Sequence, residues 1–178
     1  MELTAWRTAL AEDVVDLLAR LAQAEPAIAT TAADRHLAEE IAWPGMRIYE
    51  VETATVLPVL EAATKDGFDQ AAVIAADAPD VPGMILGKLL RPLENKAVAV
   101  AAGGPSGLLG VATSLPAPDW LIDHDLDTGS AMRLRKTAPN PGDVSSTAEW
   151  RRLRGPAELA ALDPALEGWE NTRALLGG

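Results

Sequence analysis

The chain has 178 residues, 48% of them hydrophobic and none of them cysteine, which excludes disulfide frameworks, thiolate metal sites and cysteine nucleophiles. Its formal net charge of −11 argues against a nucleic-acid partner, because phosphate binding needs a clustered basic face. We expect one cytoplasmic domain over residues 1–178, because the acidic N-terminus is not a signal peptide and no apolar run approaches the ~20 residues of a membrane span.

The first hundred residues alternate between helical and strand-like patterns. Apolar residues at three- and four-residue steps predict a helix over 3–24. Further helices are predicted over 32–42 and from Thr53 or Thr55 to about residue 65, and a fourth has Pro82 in its first turn. Strands centre near positions 29, 49, 73 and 98, and the third of them is predicted to be the central strand. This alternation predicts βαβ units and a parallel sheet covered on both faces.

The second half of the chain is less regular. A glycine-rich turn over 103–107 leads into an apolar run over 108–113. Residues 115–149 show no clear period, so we expect a long irregular segment with one short helix near 129–134. Helical character is predicted again over 147–154, followed by short helices over 157–163 and 165–176.

The stretch 70–82 marks the predicted functional edge of the sheet. Its apolar run, 71–76, ends at Asp77 and Asp80. Parallel α/β folds bind ligands beyond the carboxyl ends of their strands. Carboxylate oxygens suit Mg²⁺ or Mn²⁺ that holds the phosphates of a nucleotide. Asp77 is therefore a candidate metal ligand. The alternative is that Asp77 accepts hydrogen bonds from the turn and that Asp80 caps the next helix, with Pro82 in its first turn.

A second candidate element is the turn that contains Gly103, Gly104 and Ser106. Glycines let backbone N–H groups approach the oxygens of a ligand. An ordinary turn between two strands explains the same composition. The turn is neither a P-loop nor a dinucleotide-binding fingerprint.

Two charged clusters are less specific. Asp123, Asp125 and Asp127 mimic the opening of a calcium loop, but Thr128 and Leu134 stand where its glycine and closing glutamate belong, which favours a solvated loop. The other cluster is basic and comprises Arg133, Arg135, Lys136, Arg151, Arg152 and Arg154. A solvated face is the favoured interpretation of this cluster, and an anion-binding patch is the alternative.

The segment 73–82, Val-Ile-Ala-Ala-Asp-Ala-Pro-Asp-Val-Pro, resembles the metal-site strand of the bacterial DUF2064 family, which is related to the nucleotide-diphospho-sugar transferases with the GT-A fold. The run 108–111 resembles the family's Leu-Ile-Gly-Leu run, and 143–150 is similar to its late Asp-Val-Asp-Thr-Pro-Glu-Asp-Leu segment. The resemblance implies an α/β fold, a three-layer α/β/α Rossmann-like sandwich of the GT-A type with a reduced central sheet. The chain begins at what resembles the helix after the family's nucleotide-gripping loop, which implies an N-terminally truncated and divergent member.

For function, the resemblance implies nucleotidyl or glycosyl transfer with a nucleotide or nucleotide-sugar. It implies Mg²⁺ or Mn²⁺ at Asp77, with Asp143 supporting the metal. The residues implied to contact the nucleotide are Asp80, Gly103, Gly104 and Ser106.

The chain also departs from the family pattern. The acidic pair before the family's Gly-Gly is replaced near 102–103, and the second aspartate of the late motif is Ser145. These departures leave open a catalytically degenerate relative that binds a ligand or a protein. Trp43, Trp120 and Trp150 would then serve a partner interface or a homodimer, and core packing is the alternative for each of them.

Overall fold

The structure is a computed structural model that describes residues 2–177. Its helices are α1 (Leu3–Arg20), α2 (Arg35–Ile41), α3 (Val56–Lys65), α4 (Gly83–Leu90), α5 (Ala131–Thr137), α6 (Pro156–Ala160) and α7 (Glu170–Gly177). Its strands are β1 (Ala27–Thr30), β2 (Arg47–Glu50), β3 (Gln70–Ile74), β4 (Val98–Ala102), β5 (Leu108–Ser114) and β6 (Val144–Ser146). None of the helices in this part of the chain has the length and apolar content needed to cross a membrane.

The strands form two sheets. In the smaller sheet, β1 pairs in parallel with β2. The larger sheet has the order β3-β5-β4-β6, in which β5 is antiparallel to both of its neighbours and β4 is parallel to β6. The predicted alternation of strands and helices is confirmed, but the prediction of an all-parallel sheet is wrong. The short turn at 103–107 folds β5 back beside β4, and only antiparallel neighbours can be joined by so short a connection.

Arg47 shows how the two sheets are oriented. It is the first residue of β2, and its guanidinium pairs with Glu25 before β1 at 3.1 Å and with Asp66 before β3. It also lies 5.4 Å from the centre of the Phe68 ring, and the Tyr49 hydroxyl donates to Asp66 at 2.7 Å. Because all these partners precede their strands, the amino ends of β1, β2 and β3 lie on one side of the molecule. The three strands therefore run in the same direction.

Two apolar clusters cover the two faces of the larger sheet. On one face, Leu89 of α4 packs in a cluster with Leu109 of β5. On the other face, Leu60 of α3 packs in a cluster with Val111 of β5, and α5 contributes Leu134. Helices therefore lie on both sides of the sheet, and the fold is the predicted α/β/α sandwich with a reduced sheet.

β3 differs from its predicted place. It lies at the edge of the larger sheet, and residues 71–74 are half-buried where a central strand would be fully buried. The predicted central position is wrong because, within residues 2–177, β3 pairs with β5 alone.

The segment 147–154 also differs from its prediction, because it is extended and not helical. Its backbone N–H groups donate to the larger sheet: Thr147 N to Val100 O at 2.8 Å, and Trp150 N to Ala102 O at 3.2 Å. These bonds replace the local bonds that a helix needs. β6, which precedes the segment, also has no counterpart among the predicted strands.

Candidate functional site

The carboxyl ends of β3 and β4 meet the segment 150–154, which we call the arginine segment. The N–H of Leu153 donates to the carbonyl oxygen of Asp77 at 2.7 Å, so this segment crosses the edge of the sheet beside Asp77. The predicted functional edge is therefore built from two parts of the chain that lie far apart in sequence.

Arg152 holds the carboxylate of Asp77 with two parallel bonds. Nε lies 2.5 Å from one oxygen and Nη2 lies 2.9 Å from the other. Nη2 also lies 2.8 Å from Asp127, and Nη1 donates to the carbonyl oxygen of Leu108 at 3.2 Å. The Arg152 side chain is only 8% exposed, so this is a buried, bidentate ion pair.

The pKa of Arg152 follows from these contacts. Burial by itself lowers the pKa of the guanidinium, but the hydrogen bond and charge of Asp77, followed by the charge of Asp127, raise it above its usual value. Arg152 therefore stays charged, and its charge is balanced by carboxylates of its own chain.

Asp80 is also paired with the arginine segment. Its side chain is fully buried; one oxygen accepts from Trp150 Nε1 at 3.0 Å, and the other pairs with Arg151. The Arg151 guanidinium also lies 5.0 Å from the Trp150 ring centre. The expectation that Asp80 caps the next helix is wrong, because α4 begins at Gly83 with Pro82 at its cap position. Asp80 is instead the buried anion that fixes Trp150 and Arg151.

The glycine-rich turn lies under the arginine segment. A Cβ atom on Gly103 would lie 2.8 Å from Cδ of Arg152, so only glycine fits below that side chain. Gly107 has a φ of 76°, and a Cβ atom there would lie 2.7 Å from the carbonyl oxygen of Leu126. Gly104 is half-buried and Ser106 is exposed. Close chain packing thus accounts for the glycines at 103 and 107, and a ligand contact at Gly103, Gly104 or Ser106 stays a prediction.

Asp143 lies away from Asp77. It directly precedes β6, whose first residue, Val144, is opposite the first residue of β4, Val98. β3, β4 and β6 run in the same direction, so Asp143 lies at the amino edge of the sheet and Asp77 at the carboxyl edge. At about 3.3 Å a residue, the two ends of β4 are roughly 13 Å apart. The structure does not bring these two predicted metal ligands together.

The carboxylates of Asp77 and Asp80 are not arranged to bind a divalent cation. Mg²⁺ takes about six oxygen ligands in near-octahedral geometry. Both oxygens of Asp77 and both oxygens of Asp80 already accept bonds from the arginine segment. Residues 2–177 contain no group of three or more His, Asp or Glu side chains placed to hold a metal. Metal binding at Asp77 or Asp143 stays a prediction, and at Asp77 it requires the pair with Arg152 to open.

The acidic run over 123–127 has structural roles. Asp123 accepts from the Thr55 hydroxyl at 2.7 Å and from the Leu57 N–H at 2.9 Å, which holds the start of α3. Asp125 accepts from the Thr128 N–H at 2.7 Å, and this backbone bond lowers its pKa. Asp127, which is 66% exposed, bridges Arg152 and Arg154. Asp123 and Asp125 therefore stabilise the local backbone, whereas Asp127 is part of the site.

The sequence pattern favours a solvated face for the arginine segment, and for Arg152 this prediction is wrong. Arg152 is instead buried, and its partner Asp77 lies 75 positions away. One signal was present. Arginine occupies three of the four positions after Trp150 in an acidic chain whose apolar run over 71–76 is followed by two aspartates.

A cavity of about 800 Å³ opens beside the site. Asp77, Asp127 and Arg152 stand at one end of it, and the cavity continues between β1 and β3. Its volume lies within the range of small-molecule and cofactor sites. We call the part between the two strands, lined by residues 27–31 and 70–77, the slot.

No family model matches the sequence, and no curated protein matches it. Solved structures do. One, from Desulfovibrio desulfuricans G20, is assigned as a nucleotide-diphospho-sugar transferase; it matches with a TM-score of 0.67 at 15% identity, over 97% of this chain and 82% of that one. Another is a cytidylyltransferase from Leptospira borgpetersenii, which matches with a TM-score of 0.50 at 10% identity, over 94% of this chain and 82% of that one. The protein therefore shares the fold of nucleotidyl and nucleotide-sugar transferases.

Proposed function

We propose that this protein is a catalytically degenerate relative of the nucleotide-diphospho-sugar transferases that acts as a binding module. The observation that carries the proposal is the bidentate pair between Arg152 and Asp77, with nitrogen–oxygen distances of 2.5 and 2.9 Å. The carboxylate that would serve a metal at the carboxyl edge is neutralised by the protein itself.

The energetic argument rests on the burial of Arg152. A metal ion at Asp77 would displace the guanidinium from its main partner while the side chain remains only 8% exposed. Removing one partner of a fully buried pair typically costs about 3–5 kcal/mol. The cost here is smaller than that, because Arg152 keeps Asp127 as a partner at 2.8 Å. A metal ion would have to overcome this cost before gaining any net affinity.

Metal-dependent nucleotidyl or glycosyl transfer at Asp77, with Mg²⁺ or Mn²⁺, is the second candidate function. The observation that favours it is the position of Arg151, Arg152 and Arg154 at one edge of the sheet, next to the cavity. Arginine binds phosphate as well as carboxylate in a bidentate manner. The phosphates of a nucleotide could therefore take the place of Asp77 on Arg152 and release the carboxylate.

Thermal unfolding separates the two functions. A ligand that binds only the folded state raises the melting temperature by mass action. The protein is melted with Mg²⁺ or Mn²⁺, with a panel of nucleoside triphosphates and nucleotide-sugars, and with both together. The binding module predicts no shift that requires a metal ion. A shift that requires metal and nucleotide together and is lost in Asp77→Ala would establish a metal–nucleotide site at Asp77 and overturn the degenerate site.

The pair itself gives an independent control. If the main role of Arg152 is to neutralise Asp77, then Asp77→Asn and Arg152→Gln should each lower the free energy of unfolding. The double variant should lose less stability than the sum of the two single losses. Additive losses would show that the two side chains do not act as a pair.

A further inference from the structure

Asp127 is the least firmly held of the three carboxylates that pair with the arginine segment. Asp77 and Asp80 each accept bonds through both oxygens, and the Asp80 side chain is fully buried. Asp127 pairs through one oxygen, Oδ1, and its side chain is 66% exposed. Water screens an exposed ion pair, so such a pair contributes little to stability. Asp127 therefore leaves the arginines at a small cost.

Two guanidinium groups meet at this one carboxylate oxygen. Nη2 of Arg152 lies 2.8 Å from Oδ1 of Asp127, and Nη2 of Arg154 lies 2.6 Å from the same atom. The position of Oδ1 is therefore one at which the protein binds the oxygen of an anion with two charged donors. Because Asp127 uses only one of its oxygens there, it fills the position in part.

The two arginines differ in the partners that they keep when Asp127 moves away. Arg152 retains its bidentate pair with Asp77 and its bond to the carbonyl oxygen of Leu108. Arg154 has no other acidic partner within residues 2–177, and its side chain is 31% exposed. One positive charge is then left uncompensated beside the turn, in a position that solvent and small anions reach.

The glycine-rich turn adds backbone donors next to Arg154. A Cβ atom on Gly107 would lie 3.0 Å from Nη2 of Arg154, so the backbone of the turn comes close to the guanidinium. Gly107 has a φ of 76°, whereas Ser106 before it has no positive φ. Successive residues of opposite hand build the concave backbone sites that bind anions. The turn and Arg154 therefore form two sides of one site.

The donors of the turn are free to bind a ligand. Within residues 2–177, the N–H groups of Ser106 and Gly107 donate to no backbone carbonyl oxygen. Ser106 is exposed and Gly107 is half-buried, so these groups are within reach of solvent.

A phosphate group matches these donors better than a carboxylate does. It carries up to two negative charges at neutral pH and has three strong acceptor oxygens, whereas Asp127 supplies one charge and uses one oxygen. One phosphate oxygen takes the position of Oδ1 between the two guanidiniums, and the others accept from the turn. Because the arginines supply the positive charge, this arrangement requires no metal ion.

We propose that Arg152, Arg154 and the turn at Ser106 and Gly107 bind the phosphate group of a small molecule without a metal ion, and that Asp127 competes for the same site from within the chain. This proposal rests on the proposed function as a binding module and names the chemistry of its ligand. Asp127 lowers the apparent affinity for phosphate, because only the molecules in which it has moved away are able to bind.

The first probe is inorganic phosphate, titrated into the full chain at constant ionic strength with a chelator present. The backbone amide signals of the protein are followed by NMR. We expect saturable shifts at Ser106 and Gly107, whose N–H groups would donate to the phosphate. The amide of Ala112, which is fully buried in the middle of β5, is the internal control and should not shift. Absence of saturable shifts up to tens of millimolar phosphate would overturn the proposal.

Two variants test the roles of the paired side chains. Asp127→Asn should tighten phosphate binding at least ~3-fold, because the competing charge is removed. Arg154→Gln should weaken binding at least ~10-fold, because the guanidinium and its charge are lost.

The matched controls are Glu25→Gln and Arg47→Gln. They make the same changes of charge in an exposed ion pair at the amino ends of the strands, and should alter the phosphate affinity less than ~2-fold. Unchanged or weaker binding in Asp127→Asn would overturn the competition. A gain of affinity in that variant cannot result from misfolding, so the test stands even if Arg154→Gln does not fold.

Further probes distinguish the molecule that carries the phosphate group. A sugar phosphate and a nucleoside monophosphate are each titrated under the same conditions. Tighter binding of one of them identifies the class of ligand, and equal affinities for all three probes assign the site to the phosphate group alone. Acetate at the same ionic strength tests the selection against carboxylates. If acetate shifts the same amides with the affinity of phosphate, the proposal is overturned.

Failure of phosphate binding is distinguishable from failure of the degenerate site. The degenerate site predicts no stabilisation that requires a metal ion, whether or not phosphate binds, and the melts with metal and nucleotide test that separately. Phosphate binding that appears only with Mg²⁺ or Mn²⁺ would overturn both proposals.

Discussion

The two sheets of this protein come from similar sequence patterns but differ in how they are held. In the larger sheet, β4 and β5 are almost completely buried, and Val98 and Leu109 have no exposed surface. In the smaller sheet, most of β1 and β2 is half-buried or exposed. A two-stranded sheet is marginal without further packing. Because apolar burial is the main favourable contribution to folding, we expect the larger sheet to be the more stable of the two.

The ion pairs of the two regions differ in the same way. At the larger sheet, Asp80 and Arg152 lie in buried pairs with the arginine segment and the strand end. At the smaller sheet, Arg47 makes its pairs from a side chain that is 44% exposed. Buried pairs fix geometry because breaking them leaves a charge without solvent, whereas exposed pairs contribute little. The slot lies between a well-held sheet and a loosely held one.

The largest expected effect is a core truncation in the larger sheet. Leu109→Ala should lower the free energy of unfolding by about 3 kcal/mol, because a fully buried side chain is replaced by a cavity. Ile28→Ala in β1 is the comparison and should cost about 1 kcal/mol, because this side chain is only half-buried. Urea unfolding measures both. Equal losses would mean that the smaller sheet is packed as tightly as the larger one.

The next effect concerns the buried pair of Asp80. Arg151→Gln should lower the free energy of unfolding by about 2 kcal/mol, because the fully buried carboxylate loses its charged donor. Chemical unfolding is the measurement. Asp80→Asn combined with Arg151→Gln should recover part of the loss, since the uncompensated charge is then removed. No recovery would show that the cost comes from lost packing of Arg151 on Trp150.

A smaller effect is expected at the other sheet. Arg47→Gln removes the pairs to Glu25 and Asp66, but these side chains are largely exposed, so the melting temperature should fall by only about a degree or two. Amide exchange should become faster in β1 and β2 and remain unchanged in β4 and β5. Faster exchange throughout the larger sheet would contradict the separation of the two regions.

The smallest effect concerns the loop that contains Asp125 and Thr128. The N–H of Thr128 lowers the pKa of Asp125 below its usual 3.8, so this carboxylate contributes stability above that pH and loses it as the pH falls through its folded pKa. Asp125→Asn should therefore reduce the melting temperature by about a degree at pH 7. The difference from the unchanged protein should vanish under strongly acid conditions. Melts from neutral to acid pH test this, and a difference that grows on acidification would contradict it.

The order of the helices and strands in the first hundred residues was predictable from local patterns. The alternation of helices and strands over the first hundred residues follows from hydrophobic periodicity, which acts over a few neighbouring positions. The place of Asp77 after β3 follows from the cost of burying a charge inside a strand. Ser130, which caps α5 by accepting from Arg133 N at 3.2 Å, lies close to the predicted start of that short helix.

The site itself depended on contacts between distant segments. Whether Asp77 faces solvent, a metal or an arginine is decided by Arg152, 75 positions later. The same holds for Asp80, whose buried partners come from residues 150 and 151 and change its role from a predicted helix cap. Local spacing does not say which distant side chain meets a carboxylate, so the sequence pattern favours a solvated face for the arginine segment.

The sequence alone therefore determined the alternating helices and strands of the first hundred residues, their order and the position of the acidic strand end, because periodicity and the exclusion of charge from strands act locally. Only the tertiary structure decided that β5 lies between β3 and β4, that Asp143 lies at the opposite edge from Asp77, and that an open slot separates two sheets. Strand order and ion-pair partners are set by which distant segments bury each other's surface, and that depends on the whole chain.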